Sequence, residues 1–547
     1  MISTKVVMET RIHWSFYETS RAGVMLVVFN GTGAIRVFFV RQVRRTLVKR
    51  WGLRRTVFCL LIAVMAMGWM DAIAQETKPD LVLKGTITEA NRETYVEVPF
   101  TVPEKVIRVS VDFHYTGHDK KATIDLGLLD NERFRGWSGG NKSAFTVSET
   151  DATPSYLPGP VKPGVWRLLL GVPSMPAGVQ SEYVAEVYFE REGERLGDST
   201  LGADAVPGPV REGAGWFRGD LHMHDAHSDG SCTSELGKKV PCPLYKTVEA
   251  AAARGLDFIA ITDHNTMSHF DAMRELAPYF DKMLLIPGRE ITTFDGHANV
   301  FGTTEFIDFR LGSKTVPTFN NLLNEVEKKH ALISINHPGL PTGAACMGCG
   351  WSVKNTDFSR VHVIEAINGG NADGPLSGIS FWQQRLNDGF RVTAVGGSDN
   401  HNASYAPEHA SAVGRPTTVV YAANLSETAV LAGVRAGRVF VDTEGTRDRA
   451  IDFTAGGGTQ KAGMGDEMKV LAGTKIHFVL TLKNLVGAHP EVVRDGVAEP
   501  LGDAAKDASE VREFDQISDG KRHWVRVNVR GADGKLLVLG NPIYLNF

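Results

Sequence analysis

Cysteine is scarce, five in 547 residues, so no disulfide framework stands in for a hydrophobic core. Long apolar runs are lacking too. The only stretch worth weighing, 57–70, is about fourteen residues, short of the ~20 that a membrane-spanning helix needs. There is no internal repeat and no low-complexity tract. No Ser-His-Asp signature, P-loop or Rossmann glycine motif sits on a strand–helix turn, so the commonest serine-hydrolase and nucleotide chemistries lack their residues. Positive charge is missing from most of the chain. Residues 1–74 hold eleven Lys/Arg against three Asp/Glu, which leaves the remainder near −12 under a formal net charge of −4. A body that acidic argues against nucleic acid as partner.

What remains is a globular composition, 43% hydrophobic and 22% charged, long enough for about three domains. The 57 glycines favour a turn-rich chain with much β structure. At the N-terminus Lys49, Arg50, Arg54 and Arg55 precede the uncharged run, and Ala72-Ile73-Ala74 precedes Gln75. Basic, apolar, then small-x-small reads as a secretory signal cleaved after Ala74; a membrane anchor is the alternative. Cys59 follows bulky Phe58 and comes too early for a lipoprotein cysteine. Signal sequences seldom begin fifty residues in, so residues 1–47 read as an over-extended translation start. The expected location is periplasmic or secreted, with no stable membrane span in the mature chain. Four cysteines then remain, with Cys232–Cys242 and Cys346–Cys349 as the favoured pairs and a four-cysteine zinc site as the rival.

Three regions follow. Over 80–205 apolar residues alternate, as at Ile107, Val109, Val111 and Phe113, which predicts a β-sandwich. Over 214–445 strand and helix patterns alternate: Val248, Ala251 and Ala252 mark a helix stopped by Gly255, and Phe258-Ile259-Ala260-Ile261 is a buried strand. Repeated β-then-α predicts an α/β fold on a parallel sheet, barrel or doubly wound. Over 450–547 alternation returns, as at Ile476, Phe478, Leu480 and Leu482, and predicts a second small sandwich.

The chemistry gathers in the middle. Eleven of the seventeen histidines lie between 222 and 409. Polar clusters follow apolar strands: His222-Met-His224 with Asp229, Asp263-His264-Asn265, Arg289-Glu290, Asn336-His337, and Ser398-Asp399-Asn400-His401, while His297 opens a short strand. Strand ends of a β/α barrel converge on one rim. His222 and His224, two apart on a strand, share a face, and Asp399 and His401 repeat that spacing. Imidazole and carboxylate without thiolate suit Zn, Mn or Fe. Nine candidate ligands exceed one tetrahedral ion's needs, so two or three divalent ions are expected, with Glu290 able to bridge. His227, His269, His330, His362 and His409 read as structural.

The run Asp220-Leu-His222-Met-His224…Ser228-Asp229-Gly230 resembles the opening motif of the PHP (polymerase and histidinol phosphatase) superfamily. Thr262-Asp263-His264-Asn265, Glu290, His337 and Ser398-Asp399-x-His401 resemble its later motifs. With Arg415-Pro-Thr-Thr-Val-Val-Tyr421, the chain is most similar to the secreted, carbaryl-hydrolase-like branch. The resemblance implies a distorted β/α (TIM-like) barrel flanked by two β-sandwich domains. It implies a trinuclear centre: His222, His224, Glu290 and Asp399 at one ion; Glu290, His297 and His337 at a second; Asp229, His264 and His401 at a third. Asp229 stands where many members have histidine.

A metal-bound hydroxide attacking a small-molecule ester is the mechanism expected, with Asp399, His401 or His264 moving the proton. Arg289 and Arg415 are candidates for a substrate phosphate or carboxylate, or for structural ion pairs. Phosphoester hydrolysis is favoured over carbamate or amide ester hydrolysis; a non-catalytic binding protein with a degenerate barrel is the reading from another class. The sandwiches could contact glycans or only cover edges.

Overall fold

The computed structural model describes residues 78–140, 142–193, 208–343, 346 and 348–547, together with the backbone of four strands near the N-terminus. Those strands, Thr4–Val7, His13–Thr19, Gly23–Phe29 and Ile35–Val40, form an antiparallel meander by themselves. The basic stretch, the apolar run, the expected cleavage point and most of the linker at 205–209 lie outside the described residues. Among the described residues no helix is long and apolar enough to cross a membrane.

From 81 to 191 eight strands build two four-stranded antiparallel sheets. Val109, Val111 and Phe113 point inward with Trp166, Leu168 and Leu170 into one shared core. Part of the opposite face of Val106–Tyr115 is buried as well. Arg108 and Ser110 lie on that side, and Arg108 donates to Thr304 Oγ1 at 3.1 Å, so the sheet is backed by the central region.

The central region is mixed α/β, mostly sheet with few helices. The strands of its main sheet are β1 (Gly215–Asp220), β2 (Phe258–Ile261), β3 (Leu284–Thr292), β4 (His297–Phe301), β5 (Leu332–Ile335), β6 (Val363–Asn368), β7 (Thr393–Gly397), β8 (Thr417–Ala422) and β9 (Val439–Asp442). Its helices are α1 (Leu244–Arg254), α2 (His269–Leu276), α3 (Phe319–Lys328), α4 (Ile379–Asn387) and α5 (Glu427–Arg435). The strands pair in the order β7-β6-β5-β4-β3-β2-β1-β8-β9. The helix over 244–254 stops as its sequence predicts, with Gly255 at φ +74° in the left-handed region.

The sheet is not wholly parallel. β1, β2 and β3 run parallel, as do β5, β6 and β7, but β4 is antiparallel to both its neighbours. The reason is local. Only residues 293–296 join β3 to β4, closed by Thr293 N donating to Gly296 O at 3.2 Å, and so short a link cannot make a crossover. The reversal matters for the site, because it puts the start of β4, at His297, beside the ends of the parallel strands.

Alternation along the strands separates two apolar layers. Phe258 and Ala260 join Ile286, Val363, Val395 and Val420 on one face. Ile259 and Ile261 face the other way, against Val248 and Ala251 of α1 and Phe270 and Met273 of α2. The segments that follow β1 and β7 are drawn together. Met223 pairs in parallel with Asn400, Asp399 N donates to His222 O at 2.8 Å, and His224 N donates to Asn400 O at 2.9 Å.

No break in hydrogen bonding marks the change expected at 445–450. β9 pairs with Leu536–Gly540, and the sheet continues through His523–Arg530 and His489–Arg494 to Val497–Pro500. A separate four-stranded sheet including Ala450–Gly457 and Lys475–Lys483 covers it over a shared core of Phe453, Phe478, Leu480, Val525 and Val527. The fully buried Asn541 amide bonds Ala394 of β7 and Val439 of β9, so the C-terminal segment clasps the curled sheet.

The cysteine expectation needs correcting in part. Cys346 and Cys349 are bonded, but Cys232 and Cys242 stay thiols, both buried. Burial, and then the neighbouring Cys232 thiol, push the Cys242 thiol up to about 12, so it remains protonated and a poor nucleophile for exchange. Among the described residues nothing gathers four cysteines into a zinc site.

Candidate metal centre

The nine sequence-predicted ligands meet at one rim. Glu290, at the end of β3 and fully buried, is the hub. Its Oε1 lies 3.5 Å from His222 Nε2, 3.3 Å from His297 Nδ1 and 3.3 Å from His337 Nε2. Its Oε2 lies 3.6 Å from His224 Nε2 and 2.8 Å from His264 Nδ1. Asp399 Oδ1 approaches His222 Nε2 at 3.4 Å, His224 Nε2 at 3.3 Å and His401 Nδ1 at 3.4 Å. Asp229 Oδ1 lies 3.3 Å from His401 Nε2 and 3.6 Å from His264 Nε2.

Three groups have ligand atoms close enough to hold an ion: His222 with His224 and Asp399; His222 with Glu290 and His337; and His224 with Asp229, His264 and His401. A fourth joins His297 and His337 to Cys349, which the sequence reading placed in a disulfide or, as the rival, in a four-cysteine zinc site and not among these ligands. The divisions differ from the expected three sets chiefly in sharing His222 and His224 between groups.

The donor set fits divalent cations. Among the described residues the ion pairs of Glu290, Asp399, Asp229 and Glu365 are all with histidines, and no lysine or arginine neutralises them. His222 Nε2, His224 Nε2 and Glu290 Oε2 are buried and make no hydrogen bond. Buried polar atoms of that kind carry a desolvation penalty unless something binds them. Several rings are also oriented. His222 Nδ1 faces Glu365 Oε1 at 3.0 Å, His337 Nδ1 faces Cys349 O at 2.9 Å and His401 Nδ1 faces Asp399 O at 2.9 Å. Each partner accepts, so Nδ1 carries the hydrogen and Nε2 is left for the centre.

The rings and carboxylates of the cluster shift one another. Burial works against a charged His401 ring, but Asp229 and Asp399 outweigh it and lift it to about 9. Burial would raise Asp229, but its bond to His401 and the charges of the neighbouring rings hold it down at about 2. Burial likewise opposes ionised Glu290, and His222 and His264 pull it well below the carboxylate range. His224, crowded by His401 and His264 as well as buried, moves down instead. The rim opens on one side: Asp229 is 59% exposed and His401 37%, whereas His222 and His224 are sealed.

The backbone is bent to make these approaches. Asp399 has φ +50° and His337 φ +28°, a region that costs a non-glycine residue energy and that clusters at functional sites. Gly397 has no side chain for a reason: a Cβ there would fall 2.3 Å from Glu365 Oε1 and 2.4 Å from His222 Cβ.

Sequence reading missed Glu365. It lies within the buried β6 segment Val363-Ile-Glu365-Ala-Ile-Asn368, accepts from the His337 backbone N–H at 2.8 Å, and holds His222 from behind. A carboxylate inside an apolar strand was the available signal. Asp220, quoted only as part of a motif, accepts from the backbone N–H groups of Ser398 (3.0 Å), Gly414 (2.7 Å) and His222 (3.2 Å), tying β1 to the end of β7. Burial, against those bonds, leaves it raised to about 6.

The arginine candidates fare differently. Arg289 alternates with Glu290 along β3 and so leaves on the other face. It is buried, donates to Ile307 O at 2.8 Å and stacks over Phe306, which removes it from the cluster. Arg415 donates to Glu408 O at 2.6 Å. Of the histidines read as structural, His269 is sealed against Gly288 O at 2.9 Å, and burial pushes it down to about 4.

No family model and no curated protein matches the chain. Among solved structures it is similar to a two-domain protein of Bacteroides vulgatus ATCC 8482 containing a predicted PHP-like metal-dependent phosphoesterase. The identity is 19%, over 64% of this chain and 99% of that one, with a TM-score of 0.35. It is also similar to a proposed metal-dependent phosphoesterase of Bifidobacterium adolescentis ATCC 15703. There the identity is 16%, over 44% of this chain and 96% of that one, with a TM-score of 0.27.

Proposed function

We propose that this chain is an exported, metal-dependent hydrolase of the PHP type, whose curled central sheet is a distorted β/α barrel. The observation that carries the reading is the contact of one sealed carboxylate, Glu290, with five histidines that the chain delivers from four separate segments. Bound divalent cations would acidify water and neutralise charge developing on a phosphoryl or carbonyl oxygen. Glu290 lies where it could bridge two cations, with His222, His224 and Asp399 on one side, and His297 and His337 on the other. Asp229, His264 and His401 form the outer group. Substrate would reach that outer group first, because Asp229, His264 and His401 are partly exposed and the inner rings are not. With Nδ1–H tied to the Asp399 carbonyl, His401 offers Nε2 to an outer cation or, where none is held there, to a proton on its way to a leaving group. Phosphoesters are the substrate class favoured by so concentrated a cation site; carbamate or amide esters would use the same residues.

Elemental analysis and a panel of p-nitrophenyl phosphates and esters test this together. Bound Zn, Mn or Fe with turnover that both fall in Glu290→Gln is the expected result. Metal without turnover of any ester would favour a binding protein, and absence of metal would end the reading.

A further inference from the structure

Cys349 has no place in the nine-residue centre, yet it stands at its inner wall. Its Sγ, the Nδ1 or Nε2 of His297 and a ring nitrogen of His337 all lie within 4.8 Å of one another, and all three residues are buried. A tetrahedral cation with Zn–S and Zn–N bonds of ~2.3 and ~2.0 Å would space such atoms about 3.5 Å apart, so small side-chain adjustments close the set. The segment carrying Cys349 is already docked. Cys349 O accepts from His337 Nδ1 at 2.9 Å, Trp351 N donates to Pro338 O at 3.3 Å, and Ser352 N donates to Asp295 O at 2.7 Å in the turn before His297. Gly348, at φ +77°, packs so closely that a Cβ would fall 2.1 Å from Thr293 O. What withholds the sulfur is its bond to Cys346. A disulfide sulfur is no ligand comparable to thiolate.

We propose that Cys349, once freed from Cys346, completes His297 and His337 into a two-nitrogen, one-sulfur site for a thiophilic divalent cation such as Zn, Co or Cd. This rests on the reading of the rim as a metal centre. In the step that frees it, a dithiol reductant is oxidised to a disulfide while the Cys346–Cys349 bond is reduced. The two hydrogens of the dithiol end on the two protein sulfurs. The Cys349 proton leaves to solvent as the cation binds. The oxidised chain keeps an oxygen-and-nitrogen centre suited to harder ions; the reduced chain gains a soft ligand at one end of it.

Cobalt(II) separates the outcomes, because thiolate ligation gives a near-ultraviolet charge-transfer band that imidazole and carboxylate do not. The apo-protein is loaded with Co(II) as oxidised wild type, phosphine-reduced wild type, Cys346→Ser without reductant, and reduced Cys349→Ser, with bound cobalt counted in each. The expected result is a band of one thiolate per chain in reduced wild type and in Cys346→Ser, absent from oxidised wild type and lost in Cys349→Ser. Cobalt bound without the band in Cys346→Ser, or a band surviving in Cys349→Ser, would overturn the inference and leave the centre standing. No cobalt bound in any form would overturn both.

Discussion

Asp151 Oδ2 accepts from Arg274 Nε at 2.7 Å, joining the N-terminal sheets to helix α2 with neither side chain exposed. The same carboxylate accepts from Arg108 Nη1 at 2.9 Å and Nη2 at 2.6 Å, so it bridges two buried cations, of which Arg108 also pairs with Glu190 at 3.3 Å. Asp151→Asn takes the shared negative charge from both buried guanidinium groups, and breaking a buried ion set costs more than the intact set stabilises. Asp151→Asn should lower unfolding free energy by about 3–5 kcal/mol in urea titrations. Loss under ~1 kcal/mol would show that the other partners of the two arginines, Glu190 among them, suffice.

The same residue sets an acid limit. Burial alone would raise the Asp151 carboxyl, but Arg108 and Arg274 hold it far below the usual carboxylate range. Its folded value lies below its unfolded value, so its contribution is complete above the unfolded pKa of ~3.9 and is lost as pH falls through the folded one. Wild type should therefore lose stability with falling pH below about 4 more steeply than Asp151→Asn, as followed by thermal unfolding across that range. Parallel slopes would assign the acid loss to other carboxylates.

Glu365 is a positioning residue for His222. Glu365→Gln keeps the shape but puts an amide where two N–H groups, His222 Nδ1–H and the His337 backbone, both need acceptors. Outer partners of metal-ligating histidines are worth ~10–100-fold in metal affinity. Calorimetric titration of the apo-protein with Mn or Zn should show a loss in that range, with the fold retained. Unchanged affinity would mean that packing alone orients His222.

Gly397→Ala should act on the same pair by crowding. The new Cβ would sit 2.3 Å from Glu365 Oε1, whereas at Gly215 nothing lies within 4 Å. Overpacking of this kind costs about 1–3 kcal/mol. Gly397→Ala should lose stability and metal together while Gly215→Ala changes neither, by thermal melts and elemental analysis.

Chelation should destabilise the chain, since the proposed ligands come together only when it is folded and a bound cation would stabilise that state. A ligand at 100 times its Kd adds about 2.7 kcal/mol. Melting temperature should fall with a chelator and return with added Mn or Zn. An unmoved melt would show that protonated histidines balance the carboxylates unaided.

Much of the site could be seen in the chain because its ligands stand where apolar strands end. His264 follows Phe258–Ile261, and Asp399 and His401 follow Thr393–Gly397. Glu365 was hidden because it is inside a strand, where no terminus marks it. Arg289 could not be assigned from sequence, where it stands beside Glu290, because successive residues of a strand leave on opposite faces. The continuity of β9 with Leu536–Gly540 was hidden because a hydrophobic alternation names a strand's faces and not its edge partner.

Local sequence by itself determined the strand and helix segments, the stop at Gly255 and the identities of the nine side chains, since these follow from apolar spacing, backbone freedom and ligand chemistry. Tertiary structure decided that β4 runs backwards to bring His297 to the rim, that Asp151 spans two regions and that Cys349 reaches the centre. Those outcomes depend on contacts between residues far apart along the chain, which no short-range pattern encodes.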